Sequence, residues 1–383
     1  MTRAILQDKD TSTRTPDLYM AMELSSKKWK LGFNNGQEER IREMTVAAAD
    51  LVGLLAVIER MKRKYGLPPE AKVVSCYEAG RDGFYLHRFL ELKGVGNSVV
   101  SSSSIEVKRQ ARRAKTDRID LRGLMSLLRR YHRGERKVWS VVHVLTEEEE
   151  DFREPMRERE ELIAEKTRYA NRIGSCLVKN GILAGHPDRL TVDDIEKKRR
   201  YDGTGLPPNI KAKMVRLLER LKRLEAQIKQ IEVWQKKMVK AGDTEGARKV
   251  KRLMEVKTVG LQFSSTLVGE VFNGRSYNNR RQVGSFVGVT GTPYTSGDSN
   301  RELGISKAGN RRARKVLVEL AWLWLRWQPQ SKLSQWYQER FAHGGKRMRR
   351  IGIVALARKL LIALWKYLEF GEMIEGAELR KVS

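Results

Sequence analysis

The sequence predicts an α/β domain at the N-terminus, then a long charged helical segment, then a mostly α-helical C-terminal region. Three observations predict it. Strand-length apolar runs alternate with amphipathic helical spacing across residues 17–140. Apolar residues three and four apart, separated by charges, dominate 141–251. Glycine-punctuated helices ending in a basic, Trp-containing terminus fill 252–383. Residues 1–16, rich in Thr, Asp and Arg, read as a disordered leader.

In chain order, residues 18–24 read as a strand, 25–28 as a polar turn and 29–33 as a second strand, with a third around 40–44. From 47 to 65, Leu51, Leu54, Leu55, Ile58 and Met61 recur at helical spacing, and Gly66, Pro68 and Pro69 end that helix. Residues 72–77 read as a buried strand, 83–92 as a helix and 94–100 as a strand; a helix opens near Asp117 and runs to about 131. The order β-β-β-α-β-α-β-α is that of the ribonuclease-H-like fold, to which RuvC resolvases belong. The acidic cluster at 147–151 suits a helix start, where negative charge meets the positive end of the helix dipole. Val215, Leu218, Leu221, Leu224, Ile228, Ile231 and Met238 form an amphipathic or coiled-coil stripe. It reads as a dimerisation or spacer arm, or as a plain helical hairpin. Gly203, Gly205, Pro207 and Pro208 mark the turn between the helical arms.

Lys and Arg number 76 of the 383 residues against 47 Asp and Glu, a formal charge of +29. An excess that large favours a polyanionic partner, because each neutralised phosphate releases counterions. Cys76 and Cys176 show no CxxC spacing, which argues against a disulfide framework or structural zinc and suits a reducing cytosol. The five histidines are scattered. The polar N-terminus shows no signal peptide. The apolar run 351–364 is broken by Arg358 and Lys359 and falls short of the ~20 residues of a membrane span, so it reads as a buried helix.

Four acids fall on telling elements. Glu23 lies near the end of the first strand and Glu78 ends the buried strand, and in a ribonuclease-H-like sheet these strands are neighbours. Asp117 and Asp120, three apart at a helix start, share one face. Such a convergence needs a cation, and magnesium, with manganese as the alternative, suits carboxylate oxygen. Two such ions could flank a scissile phosphate. Singly, each acid has a plain reading: Glu78 as a surface residue, Asp117 as a cap, Asp120 as a dipole partner.

A second constellation lies at 286–322. Gly288, Gly291, Pro293 and Gly297 impose a turned backbone that can approach a phosphate. Ser296 stands beside Gly297, with Arg301, Lys307, Arg311, Arg312 and Arg314 downstream. Alone, Ser296 is a turn residue with Thr295, Ser299 and Ser306 as rivals. Trp322, Trp324 and Trp327 sit on an apolar helix and read as core. Lys346, Arg347, Arg349 and Arg350 form a basic run suited to phosphate.

The segments YMAMELSSKKWKLGF, VVSCYEAGRDGFYLHRFLELKG and ARRAKTDRIDLRGLMSLL resemble the three motifs of the DEDD transposases of bacterial insertion sequences, the Piv-like family that includes bridge-RNA-guided recombinases. The stretch KTDRIDLRGL supplies Lys115, Thr116, Asp117 and Asp120 in the family's spacing, with Lys115 and Arg118 as candidate nucleic-acid contacts. The family usually has Asp where this chain has Glu23. The segment 254–271 resembles the family's helix–hairpin–helix-like segment, with Gly260 at the turn. The resemblance implies that Ser296 is a nucleophile forming a serine–DNA link, assisted by magnesium on Glu23, Glu78, Asp117 and Asp120. It also implies donor and target double-stranded DNA, a structured guide RNA, and a homodimer or homotetramer. Two other readings stay open: a RuvC-like junction nuclease using water, and a non-catalytic nucleic-acid-binding protein.

Overall fold

The computed structural model describes residues 17–81, 83–105, 117–183, 185–296 and 299–380; the side chains of 103, 117–119, 294–296 and 299–303 also lie outside that description, as does the leader, 1–16. Its contacts divide the chain into two compact units, Met1–Val144 and Leu145–Ser383.

The first unit is a mixed α/β arrangement. Its elements run β1 (Leu18–Leu24), β2 (Lys28–Asn34), β3 (Arg42–Ala47), α1 (Leu51–Lys64), β4 (Val73–Glu78), α2 (Tyr85–Leu92), β5 (Gly96–Val100) and α3 (Asp117–His132). Both the element order and most boundaries follow the sequence pattern, because strand alternation and helical spacing are strong here. The five strands form one sheet in the order β3-β2-β1-β4-β5, with β1, β2 and β3 antiparallel in turn and β4 and β5 parallel to β1. Both faces of the sheet are covered. Met20, Met22, Leu31, Phe33, Val73 and Tyr77 pack with Leu54, Ile58 and Met61 of α1 and Leu86 and Leu90 of α2. On the opposite face Tyr19, Ala21, Val74, Cys76 and Val100 pack with Leu121, Leu124, Met125 and Leu128 of α3. Local signals fix the helix ends. Asp50 accepts from Gly53 N at 2.8 Å to cap α1, and Lys62, Arg63 and Lys64 complement the dipole at its other end.

The second unit contains α4 (Glu147–Val178), α5 (Val192–Lys197), α6 (Pro208–Ala241), α7 (Glu245–Met254), α8 (Leu261–Leu267), α9 (Arg280–Val287), β6 (Gly291–Ser296), β7 (Ser299–Ile305), α10 (Arg311–Trp327), α11 (Lys332–Tyr337) and α12 (Lys346–Phe370). A capping box of Thr146 and Glu149 starts α4, with Glu147 to Glu150 in its first turn. Its partner α6 begins at Pro208 and ends on left-handed Gly242. The two helices are antiparallel, since Arg159 pairs with Glu232 and Lys166 with Glu225. Their connection is more than the turn that Gly203 to Pro208 suggested: Ile182, Ile195 and Leu206 join Ile173, Leu177, Met214 and Leu218 in a small core of their own. The main core gathers Phe152 and Met156 of α4 with buried residues of α7 to α12. The apolar run 351–364 lies within α12, where Ile353, Leu356, Ala357, Leu360, Leu361 and Leu364 are buried as the pattern suggested, while Ile351 and Lys359 are exposed. Among the described residues no helix is long and apolar enough to cross a membrane.

Candidate active site

β1 and β4 pair in parallel from Leu18 opposite Val73 to Met22 opposite Tyr77. One further step in the same register sets Glu23 opposite Glu78. Side chains alternate across a strand, so Glu23 shares the face of Tyr19 and Ala21, and Glu78 that of Val74 and Cys76. That is the face covered by α3. The direction of α3 is fixed by two contacts. At its C-terminal end the His132 ring lies 6.1 Å from that of Tyr19, at the start of β1. Further back, a Cβ on Gly32, which pairs with Ala21, would sit 3.1 Å from Leu121. Positions 117 and 120, one turn before Leu121 and Leu124, therefore lie toward the Glu23 end of β1.

Glu78 is exposed, while Glu23 and Asp120 are half-buried. Asp117 is the first residue of α3 and Arg118 the second, both with side chains outside the described set; Lys115 lies outside the described residues altogether. Among the described residues, to which the Asp117 side chain does not belong, no three His, Cys, Asp or Glu side chains are gathered closely enough to hold a metal ion. The four predicted positions are all carboxylates, whose hard oxygens would suit Mg2+ or Mn2+ rather than a softer metal.

Ser296 is the last residue of β6. The β6–β7 register pairs Tyr294 with Arg301 and Ser296 with Ser299, which leaves Gly297 and Asp298, outside the described residues, as the connection. The backbone of Ser296 thus stands near the end of a two-stranded hairpin, where the sequence had suggested a sharply turned backbone. The tight turns lie at its base. Gly288 (φ 73°) ends α9 and Gly309 (φ 136°) precedes α10. A Cβ would meet Ala308 O at 2.5 Å from Gly288 and Phe286 O at 2.4 Å from Gly309, so the two segments cross only as glycines.

Beneath this crossing lies a buried polar network that sequence reading missed. The Glu270 carboxylate accepts from Arg157 of α4 through both oxygens, Nε to Oε1 at 2.9 Å and Nη2 to Oε2 at 3.2 Å. Asn310 Nδ2 donates to Glu270 Oε2 at 2.6 Å, while Asn310 Oδ1 accepts from Ala313 N at 3.0 Å and caps α10. Burial raises the Glu270 pKa, but the bonds from Arg157 and Asn310 outweigh it and hold the carboxyl below its ordinary value. The signal was present in the sequence as one acid inside the apolar run Val268–Phe272.

The predicted phosphate-binding cations divide into two groups. Lys307 and Arg311 are exposed, as are Lys346, Arg347, Arg349 and Arg350 at the start of α12. Arg312 Nε instead binds Glu160 of α4 at 2.7 Å, and Arg314 Nη1 donates to Val287 O at 2.8 Å under the hairpin base. Arg301 is placed by backbone alone, on β7. The tryptophans also divide: Trp324 is fully buried, whereas Trp322 and Trp327 are each 50 % exposed. Only Trp324 shares the helix face of Leu317, Leu320 and Ala321, so core packing is corrected for the other two. In the hairpin between α7 and α8, the left-handed residue is Thr258 (φ 89°), and Gly260 (φ −83°) is the N-cap of α8.

Residues 250–336 match the family described as Transposase IS116/IS110/IS902. That segment contains the serine hairpin, Glu270 and Asn310. Over 377 residues the chain is 39 % identical to the putative transposase y4rJ of Sinorhizobium fredii, covering 95 % of this chain and 94 % of that one. It is 24 % identical over 319 residues to the transposase for insertion sequence element IS1111A of Coxiella burnetii, covering 82 % and 84 %. It is 25 % identical over 222 residues to the transposase for insertion sequence element IS1328 of Yersinia enterocolitica, covering 57 % of this chain and 63 % of the other.

Proposed function

The chain belongs to the IS116/IS110/IS902 family of insertion-sequence transposases, and from that premise we propose that it cuts and rejoins DNA through Ser296, assisted by a divalent ion on Glu23, Glu78, Asp117 and Asp120. The observation that carries the reading is the register of β1 on β4, which brings the backbones of Glu23 and Glu78 level under the first turn of α3. The strand order β3-β2-β1-β4-β5 supports a ribonuclease-H-like, RuvC-like assignment of the first unit.

In the reaction, Ser296 Oγ bonds to the scissile phosphorus as the bond to the departing deoxyribose oxygen breaks. The serine loses its proton and the departing oxygen takes one up. The serine phosphodiester conserves the broken linkage, so a hydroxyl of the exchanged strand can reverse the step, restore DNA and free the serine. The four carboxylates would hold magnesium or manganese, which when bound supplies charge for phosphate oxygens. Lys307 and Arg311, exposed at the hairpin base, offset phosphate charge. A structured guide RNA would choose the DNA partners, and a homodimer or homotetramer would supply one serine per exchanged strand.

The test is cleavage of element-end DNA by the full chain, its Ser296→Ala variant and an Asp120→Asn variant in Mg2+. The reading expects both variants to bind DNA as the parent does and to cleave at least a hundredfold more slowly, an order set by loss of a nucleophile or metal ligand. Full cleavage by Ser296→Ala would establish hydrolysis by water instead.

A further inference from the structure

α6 carries an exposed stripe whose cations make no ion pair among the described residues, although the Arg220 guanidinium lies 6.0 Å over the Tyr169 ring of α4. Arg216, Arg220, Arg223, Gln227, Gln230, Trp234 and Lys237 follow one another at alternating four- and three-residue steps, so they share one face of the helix. All are exposed. The buried residues Leu217, Leu221, Leu224, Gln235 and Val239 face elsewhere. The charge on this face is one-sided. Across α6 ten Lys and Arg stand against three Glu. Two of those acids are spoken for, Glu225 by Lys166 and Lys222 and Glu232 by Arg159. The third, Glu219, lies at the stripe's edge. None of the four stripe cations has a carboxylate partner among the described residues.

We propose that this face of α6 binds the sugar–phosphate backbone of double-stranded DNA, independently of base sequence. This rests on the reading of the chain as a DNA-acting enzyme and adds a second contact surface, on the arm. From Arg216 to Lys237 the stripe spans about 32 Å at 1.5 Å per residue, close to one turn of B-form duplex. Its chemistry is what a phosphate backbone takes: cations for the phosphates, amides of Gln227 and Gln230 as neutral donors, and an indole whose N–H can donate and whose ring can lie on deoxyribose. A second copy of the chain laid on the same stripe would set arginine against arginine, which disfavours self-association there. An A-form RNA duplex offers a straight helix a deep, narrow groove that side chains do not enter, whereas the B-form major groove admits one.

The experiment compares the full chain with the variant Arg216→Gln, Arg220→Gln, Arg223→Gln, Lys237→Gln. A charge-matched control carries Arg60→Gln, Lys93→Gln, Arg133→Gln and Lys137→Gln, four exposed cations of the first unit. Binding to a 40-base-pair DNA duplex of arbitrary sequence and to an RNA duplex of the same length is followed across a salt series, with melting temperature and mass in solution. The expected result is a salt slope for DNA shallower by about 3–4 in the stripe variant and by less than one in the control, with melting unchanged. Equal losses in the two variants, or none in the stripe variant, would overturn the proposal. So would a loss confined to RNA, or a change in mass with DNA affinity intact. Failure of the parent to bind DNA at all would instead defeat the underlying functional reading.

Discussion

Glu270 holds its charge in a nearly dry interior because Arg157 and Asn310 together meet both carboxylate oxygens. Breaking one side of such a pair leaves the other buried and unmatched. Arg157→Met is therefore expected to cost about 3–5 kcal/mol in chemical denaturation, and Arg157→Met with Glu270→Leu together much less than the sum of the singles. His132 poses the opposite balance. Burial, with Arg136 and Lys72 nearby, pushes its pKa down to about 4 from 6.5. It is neutral in the native state, so its contribution is complete above pH 6.5 and is lost as pH falls through that value toward 4. Urea midpoints at pH 7.5 and 5 should differ more for the parent than for His132→Gln. An equal difference would remove His132 from the account. The places of Glu23, Glu78 and Asp120 in the fold were legible because each lies at or near the end of a patterned element. The roles of Arg312 and Arg314 were not, because a basic residue reads the same whether it meets a phosphate or Glu160.

At the scale of elements, the first unit was legible almost throughout, since each strand and helix there buries one or two faces and its period shows it. The β6–β7 hairpin was not. Gly291, Pro293 and Gly304 are poor strand formers, and the pair is held by its crossing at Gly288 and Gly309 and by backbone bonds such as Ser306 N to Thr290 O. The connection between α4 and α6 likewise hid its small core, because its apolar residues are spread over short pieces. Asn310 ties these elements together, capping α10 and holding Glu270. Asn310→Ala is expected to destabilise by about 1–3 kcal/mol, through the lost cap and the lost bond to a buried carboxylate. Asn310→Asp keeps a good cap yet sets a second negative charge against Glu270, so it should be no more stable than the alanine variant. A melting temperature for the aspartate variant equal to that of the parent would show that capping alone matters.

For the whole molecule, the charge of +29 favours a polyanionic partner, and similarity along 95 % of the chain bears out the insertion-sequence transposase to which the resemblance of the motifs pointed. The division after Val144 has a direct consequence. Residues 17–144 contain a sheet covered on both faces and two cores, and are expected to fold alone with one cooperative urea transition; a noncooperative profile would show that the unit depends on the rest of the chain. The central claim is that Ser296 becomes covalently joined to DNA. Its most direct test is to trap the parent protein on element-end DNA in Mg2+, digest protein and DNA, and locate the nucleotide remnant by mass spectrometry. The account predicts a remnant on Ser296 that is absent after Ser296→Ala; cleaved DNA with no protein-linked nucleotide, or a remnant on another residue, would contradict it.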